Sequence, residues 1–496
     1  MTRSDRVPRC MSTQHPDNAT VPFFVDGPVM DGVDEIREAY YAFSHLGCDE
    51  QMWDFEGKEV DEFVVEKLFS TYAGFFRTHV LGKDMRLTPR APNPSVEKGG
   101  GKILLEVLHW ITRTYDVASL FYGNHVHPPI SEIILPMTTS ATELDRILRY
   151  YETFILGLED TVILPGDRPL KEWIGEFHPK RIAIIPLIED RDSLLRVDTI
   201  VGEYLRDKQV PYQRVFLARS DPALNYGMLA AVLLVKVALA RLDRLERRLG
   251  IPIYPILGAG SAPFRGNLRP DTVDRILREY PSVQTYTIQS AFKYDHPATT
   301  VVQAIQTLRA TPRGPAHAID AETAIVDLID RIATCYQAQV RVLAPVVNLL
   351  ASHVPRRRMR RLHIGLFGYS RNVGGIRLPR AITYCAALYS VGLPPELLGL
   401  AHLQRTDLAL IRTVYPGFEH DLHDAVRYFN PRALDVLFPD LTDDVQAVFT
   451  LFDLDPEPDP DHRDITTDVI RQIAAGNGED TGDLILQAAW VRRFLG

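Results

Sequence analysis

The run Ile182-Ala183-Ile184-Ile185-Pro186-Leu187-Ile188 is apolar at every position. A strand with one face in water alternates polar and apolar residues, so an unbroken apolar run of this length reads as a strand covered on both sides. Acidic residues, Glu189 and Asp190, follow it at once, and then a helical pattern over residues 193–206. The same unit recurs on either side. Strands are predicted over residues 10–14, 51–55, 84–88, 132–137, 182–188, 214–217, 251–257 and 283–288. Amphipathic helical stretches fall between them, over residues 33–46, 62–76, 102–115, 142–157, 193–206, 224–249 and 270–279. Asp31, Asp61, Ser140 and Asp190 stand near helix starts, where a side-chain oxygen can cap the first amides. Eight such units predict a (β/α)8 TIM-like barrel over residues 1–296. An open doubly wound sheet shares the alternation, but no Gly-x-Gly-x-x-Gly follows the first strand.

Beyond residue 297 the strand signals fade. Helical patterns cover residues 300–308, 321–350, 379–390, 395–400, 403–415, 466–475 and 484–494. Residues 297–496 are therefore expected to be additional C-terminal helices packed on the barrel. The acidic, proline-rich stretch from Asp453 to Asp461 reads as an exposed loop; it lacks the glycine and terminal glutamate of a calcium-binding EF-hand.

Composition narrows the function. A chain of 496 residues with 46% apolar and 24% charged residues can bury a large core. No stretch approaches the length of a membrane span, and no apolar segment stands behind the amino terminus as a secretory signal would. Cys10, Cys48, Cys335 and Cys385 are scattered without Cys-x-x-Cys spacing, which argues for a reducing compartment and against a disulfide framework. These features predict a soluble, cytoplasmic protein. The net charge of −9 speaks against a nucleic-acid partner.

In such a barrel, functional side chains gather where the strands end. The predicted ends carry His15, then Asp54 and Glu56, Arg90, Glu189, Asp221, Arg265, and finally Gln289 and Lys293. Two acids suit Mg2+ or Mn2+ with positions left for substrate oxygens, and arginine forks match carboxylate and phosphate. Bland readings stand beside these. A lone histidine before a proline is more often structural, Glu189 and Asp221 could be first-turn acids of helices, and Arg265 could be a turn arginine. Glu97-Lys98-Gly99-Gly100-Gly101-Lys102 lacks the ending of a phosphate loop and reads as a helix entry. The run Arg356-Arg357-Arg358-Met359-Arg360-Arg361 reads as a solvated or subunit-facing surface, with an anion site as the functional alternative.

Four segments in order carry a family resemblance. Ser12-Thr13-Gln14-His15-Pro16-Asp17-Asn18 resembles the amino-terminal signature of the short, archaeal-type phosphoenolpyruvate carboxylases, and its Thr-x-His-Pro matches the motif bearing their catalytic histidine. Pro186-Leu187-Ile188-Glu189 and the segment from Ser220 to Gly227 resemble the two metal-ligand motifs, and the segment from Gly258 to Gly266 the glycine-rich arginine loop. Further archaeal-type pieces continue through Gly368-Tyr369-Ser370-Arg371 and Leu378-Pro379-Arg380. The resemblance implies conversion of phosphoenolpyruvate and bicarbonate to oxaloacetate and phosphate, with His15 catalytic, Glu189 and Asp221 on Mg2+ or Mn2+, and a homotetramer. Compared with the long enzymes, Leu257, Ala259 and Leu224 stand where a histidine, an arginine and a lysine are expected. Arg90, Lys58, Arg371, Arg377 and Arg380 are the candidate replacements beside Arg265. The rival readings are another metal-dependent barrel lyase or mutase, and a silent metabolite-binding regulator.

Overall fold

The computed structural model describes residues 7–55, 61–97, 100–123, 126–359, 372–373, 375–455 and 457–496, with Asn372, Val373, Glu479 and Asp480 described by main chain alone. Eight parallel strands close into a barrel in chain order: β1 (Cys10–Ser12), β2 (Glu50–Asp54), β3 (Arg86–Arg90), β4 (Glu132–Leu135), β5 (Ala183–Ile188), β6 (Gln213–Ala218), β7 (Ile253–Gly258) and β8 (Thr285–Ile288). The seam closes where Cys10 pairs with Tyr286 on β8 and Met11 pairs with Glu50 on β2.

The apolar run on β5 has the two covered faces its sequence requires. Ile185 and Leu187 join Met11, Met52, Ile134, Phe216, Ala218 and Ile256 in a cluster of their own, the barrel lining, while Ile184 and Ile188 join the outer core. Successive strand residues point to opposite faces, so Glu50, Met52 and Asp54 share one side of β2. Glu50 lies low in the barrel, where fully buried Arg214 bonds it at 2.8 and 2.7 Å and reaches Glu132 at 2.9 Å. That ion layer fills the floor. Asp54, two steps up the same face, stands at the opposite end, the mouth.

Helices cover the outside. The helix Met228–Leu249 is buried along most of its length because Glu322–Ala351, from beyond the barrel, packs over it. Glu322–Ala351 also touches Ser220–Tyr226, which meets Ala381–Ser390, which in turn meets Gly482–Arg492. One apolar core accordingly runs from Cys10 to Leu495. Among the described residues, no helix is long and apolar enough to cross a membrane.

Several details differ from the sequence reading. The stretch 33–46 is an α-helix, Gly32–Tyr41, continued by a π-helical turn, Ala42–Leu46, that Gly47 ends in the left-handed region at φ 76°. The acidic loop ends earlier than expected: Asp459 caps the His462 amide at 3.0 Å and Pro460 starts the helix Pro460–Ala474. Helices Phe418–Val426 and Thr442–Phe452 were not foreseen, their apolar periodicity being diluted by acidic residues in the first turn. Between the fourth and fifth units, residues 156–177 project from the barrel, leaving Ile163, Leu164, Trp173 and Ile174 exposed.

Candidate active site

The site starts from the end of β1. The Thr13 amide extends the ladder by donating to Ile288 at 2.9 Å, and the chain then turns at His15 and Pro16. The turn is fixed from outside, since the His15 carbonyl accepts the Asp17 amide at 3.1 Å and the Ser290 amide at 3.2 Å. The His15 ring is half-buried, with Nδ1 2.9 Å from Thr13 Oγ1. Two carboxylates pin the following residues. Asp17, fully buried, accepts the Ala291 amide at 2.7 Å and Arg265 Nη1 at 3.2 Å. Burial pushes its carboxyl up, although Arg265 and the backbone amides pull it down. Asp295 accepts the Ala19 and Thr20 amides, both at 2.7 Å, and burial raises it to about 7.

Beneath the turn lies a buried ion cluster. Lys293 Nζ donates to Ser12 Oγ and the Thr13 carbonyl, both at 3.0 Å, and to Glu38 Oε1 at 2.7 Å. Arg358 adds its own bonds to Glu38, to Glu35 at 3.1 Å and to Ser290 Oγ at 3.2 Å. Burial alone would raise the Glu38 carboxyl, but Arg358 and Lys293 outweigh it and hold the group well below the usual carboxylate range. Arg357 bonds the Asn18 and Ala19 carbonyls at 3.3 and 2.6 Å. The reading of residues 356–361 as a solvated surface is therefore corrected for Arg357 and Arg358, which are buried and hold the His15 segment in place.

Around the mouth, the predicted residues connect in sequence. Arg90, at the end of β3, grips Asp54 on β2 with Nε and Nη2, each at 2.8 Å. The Asp54 amide donates to Gln14 Oε1 at 2.9 Å, which joins this pair to the His15 segment. On the other side, Arg265 is almost wholly buried. It donates to Asp17, to Gln289 Oε1 at 2.6 Å, to the Gly496 carbonyl at 2.8 Å and to Ser220 Oγ at 3.1 Å, nearly exhausting its donors. Ser220 is the neighbour of Asp221, so the arginine loop after β7 touches the acid loop after β6.

Glu189 and Asp221 follow adjacent strands, with Ile188 in register with Leu217. Glu189 is buried, and its Oε2 accepts the Met137 amide at 2.7 Å. Met137 takes φ 51° to present that amide, a strained setting for a residue with a side chain. Asp221 sits in the first turn of Ser220–Tyr226 and is partly exposed. Among the described residues, no three or more His, Cys, Asp or Glu side chains converge on one point. Two hard oxygen donors on neighbouring strand ends are nonetheless a donor set that fits Mg2+ or Mn2+.

Lys58 and Arg371 lie outside the described residues. Arg377 is exposed on a short antiparallel ribbon, Asn372–Val373 with Ile376–Arg377, and its carbonyl accepts Asn348 Nδ2 at 3.1 Å. Arg380 immediately precedes the helix Ala381–Ser390. Among the described residues, no hydrogen bond or ion pair joins either of them directly to His15.

The sequence profile of the family described as phosphoenolpyruvate carboxylase matches residues 7–496. The chain belongs to the phosphoenolpyruvate carboxylase family. The carboxylase of Methanothermobacter thermautotrophicus is 52% identical over 491 residues, 99% of this chain and all of that one. Those of Methanospirillum hungatei and Halobacterium salinarum are each 51% identical, covering 99% of this chain and 100% and 99% of theirs. A solved HpcH/HpaI aldolase from Desulfitobacterium hafniense aligns at 16% identity and a TM-score of 0.30 over 62% of this chain and 95% of its own. All four motif segments lie inside the matched span. Beyond the residues expected to act, the structure adds Asp17, Glu38, Arg358 and Gly496 to the site. Asp17 stood in the quoted motif, and Glu38 was hidden among ordinary helix acids.

Proposed function

We propose that the chain carboxylates phosphoenolpyruvate with bicarbonate, giving oxaloacetate and phosphate, and that the reaction passes through carboxyphosphate and the enolate of pyruvate. The observation that carries this reading is the rigid His15 turn, half-open at the barrel mouth and joined by hydrogen bonds to Arg90–Asp54 on one side and Arg265–Ser220 on the other.

Glu189 and Asp221 would hold Mg2+ or Mn2+, which when bound supplies charge neutralisation for phosphate and enolate oxygens. The protein's own groups supply the remainder. Arg90, its fork already oriented by Asp54, offers a preset cation to an anionic substrate group. Arg265 acts differently: with its donors engaged inside, it fixes the mutual placement of the loops after β1, β6 and β7 and adds positive charge close to them. Lys58, Arg371, Arg377 and Arg380 are proposed as further anion contacts. The transfer of the phosphoryl group to bicarbonate requires chiefly such positioning and charge. His15 then takes up the proton of carboxyphosphate as it breaks to carbon dioxide and phosphate, and the enolate carbon attacks the carbon dioxide. A homotetramer, which the family resemblance supports, would also cover apolar side chains such as Trp173 on the projecting segment.

Purified protein with phosphoenolpyruvate, bicarbonate and Mg2+ should form oxaloacetate, read through malate dehydrogenase and NADH. No product with any divalent metal, or turnover that ignores bicarbonate, would sink the reading. His15→Asn should still bind phosphoenolpyruvate but lose carboxylation.

A further inference from the structure

Thr13 is fully buried, and each of its polar groups is engaged. Its amide donates to Ile288 on β8 at 2.9 Å. Its carbonyl accepts Lys293 Nζ at 3.0 Å. Its hydroxyl meets His15 Nδ1 at 2.9 Å. Lys293 has three N–H groups, and all three are used, on Ser12, Thr13 and Glu38. Arg358 bonds the same Glu38 oxygen, Oε1, and its further bond to Ser290 Oγ reaches the residue whose amide grips the His15 carbonyl. Removing four acidic and basic side chains (Glu35, Glu38, Lys293 and Arg358) from water is costly, and such clusters serve placement better than stability. Here what they place is the backbone of Ser12 and Thr13. The hydroxyl of Thr13 therefore cannot drift from the ring it touches.

We propose that Thr13 is the positioning residue of His15: its hydroxyl oxygen accepts the Nδ1–H, so the ring holds one tautomer and Nε2 carries the working lone pair. A proton leaving carboxyphosphate goes to Nε2, the ring becomes imidazolium, and the bond from Nδ1–H to Thr13 is kept and strengthened by the new charge. No group has to turn during the transfer, which is the advantage of a preset acceptor. This assignment rests on the proposed role of His15 as a base.

Thr13→Val keeps the shape and removes the acceptor. With the wild-type chain as reference, kcat should fall about tenfold or more while KM for phosphoenolpyruvate changes by no more than about twofold. The acidic limb of the pH profile should move to lower pH, because the imidazolium loses its partner. Thr13→Ser, which restores the hydroxyl, should recover most of kcat. Nitrogen-15 NMR of the His15 ring, its signal identified by absence in His15→Asn, reads tautomer and titration without any turnover. It should show one dominant tautomer in the wild type and a mixture with a lowered midpoint in Thr13→Val. Thr13→Ala gives the same readouts if valine disturbs packing. Wild-type kcat and an unchanged His15 titration in Thr13→Val, or equal losses in the valine and serine variants, would overturn the proposal. Absence of carboxylation in the wild type would instead remove the reaction assigned above, and the NMR comparison would still decide whether Thr13 sets the ring.

Discussion

Arg265 Nη1 donates to the carbonyl oxygen of Gly496 across 2.8 Å, and the amide of the preceding residue, Leu495, donates to the Asp17 carbonyl at 2.6 Å. The His15 segment and the last residues of the sequence thus meet at the barrel mouth. A Cβ on Gly496 would lie 2.7 Å from the Ala386 amide nitrogen and closer still to the Ile382 carbonyl. Both are backbone atoms of a packed helix, so Gly496→Ala must displace the last residues and strip Arg265 of a partner. We expect kcat to fall by about tenfold or more, with a melting temperature only a few degrees lower. Full activity in this variant would show that the Arg265–Gly496 bond is incidental.

Arg358 offers a second test. Removing one member of a buried ion cluster leaves the others uncompensated, at a cost of about 3–5 kcal/mol. Arg358→Met should destabilise by roughly that amount in chemical denaturation. Arg412→Met, which breaks the exposed pair with Glu419, should cost less than about 1 kcal/mol. Similar losses in the two variants would contradict the placement of Arg358.

Glu396 gives a pH signature. Its buried carboxyl accepts the Phe264 amide and the Tyr389 hydroxyl, and burial raises it to about 7 despite those bonds. Between its unfolded value near 4.5 and about 7, the native state holds the proton that the unfolded chain has lost. Stability contributed by this group should then fall as pH rises through that window, by about 3 kcal/mol in all, and stay level above it. Glu396→Gln, which stays neutral, should flatten that part of the stability profile and be the more stable protein at pH 8. A profile unchanged from the wild type would mean that Glu396 ionises normally.

Metal dependence tests the two acids. Glu189→Gln and Asp221→Asn should each raise the Mn2+ concentration for half-maximal activity by about tenfold or more, and direct Mn2+ binding followed by electron paramagnetic resonance should weaken in parallel. Unaltered Mn2+ affinity in both variants would place the metal elsewhere.

The strands were legible because burial on two faces leaves a continuous apolar run, and β5 shows it most plainly. The mouth was legible because a chemistry-bearing residue follows nearly every strand. What stayed hidden was the support. Arg358 reads as one cation in a basic run, and Glu35 and Glu38 read as helix acids; their burial depends on partners more than 300 residues away in the chain. Lys293 was counted among the residues that follow the strands, yet it lies beneath the site, since position after a strand does not tell which way a side chain turns. Pairings of such sequence separation leave no local pattern.

That separation also sets an order of events during synthesis. Residues 7–20 are made long before their partners: β1 must wait for β8 to complete its pairing, the His15 turn for Arg358, and Asp17 for Leu495. At about 5–20 residues per second, the ribosome needs roughly half a minute or more to deliver the last of these partners. Throughout that interval the nascent chain carries His15 without its cage, so the site is assembled only once residues remote from it in sequence have been made.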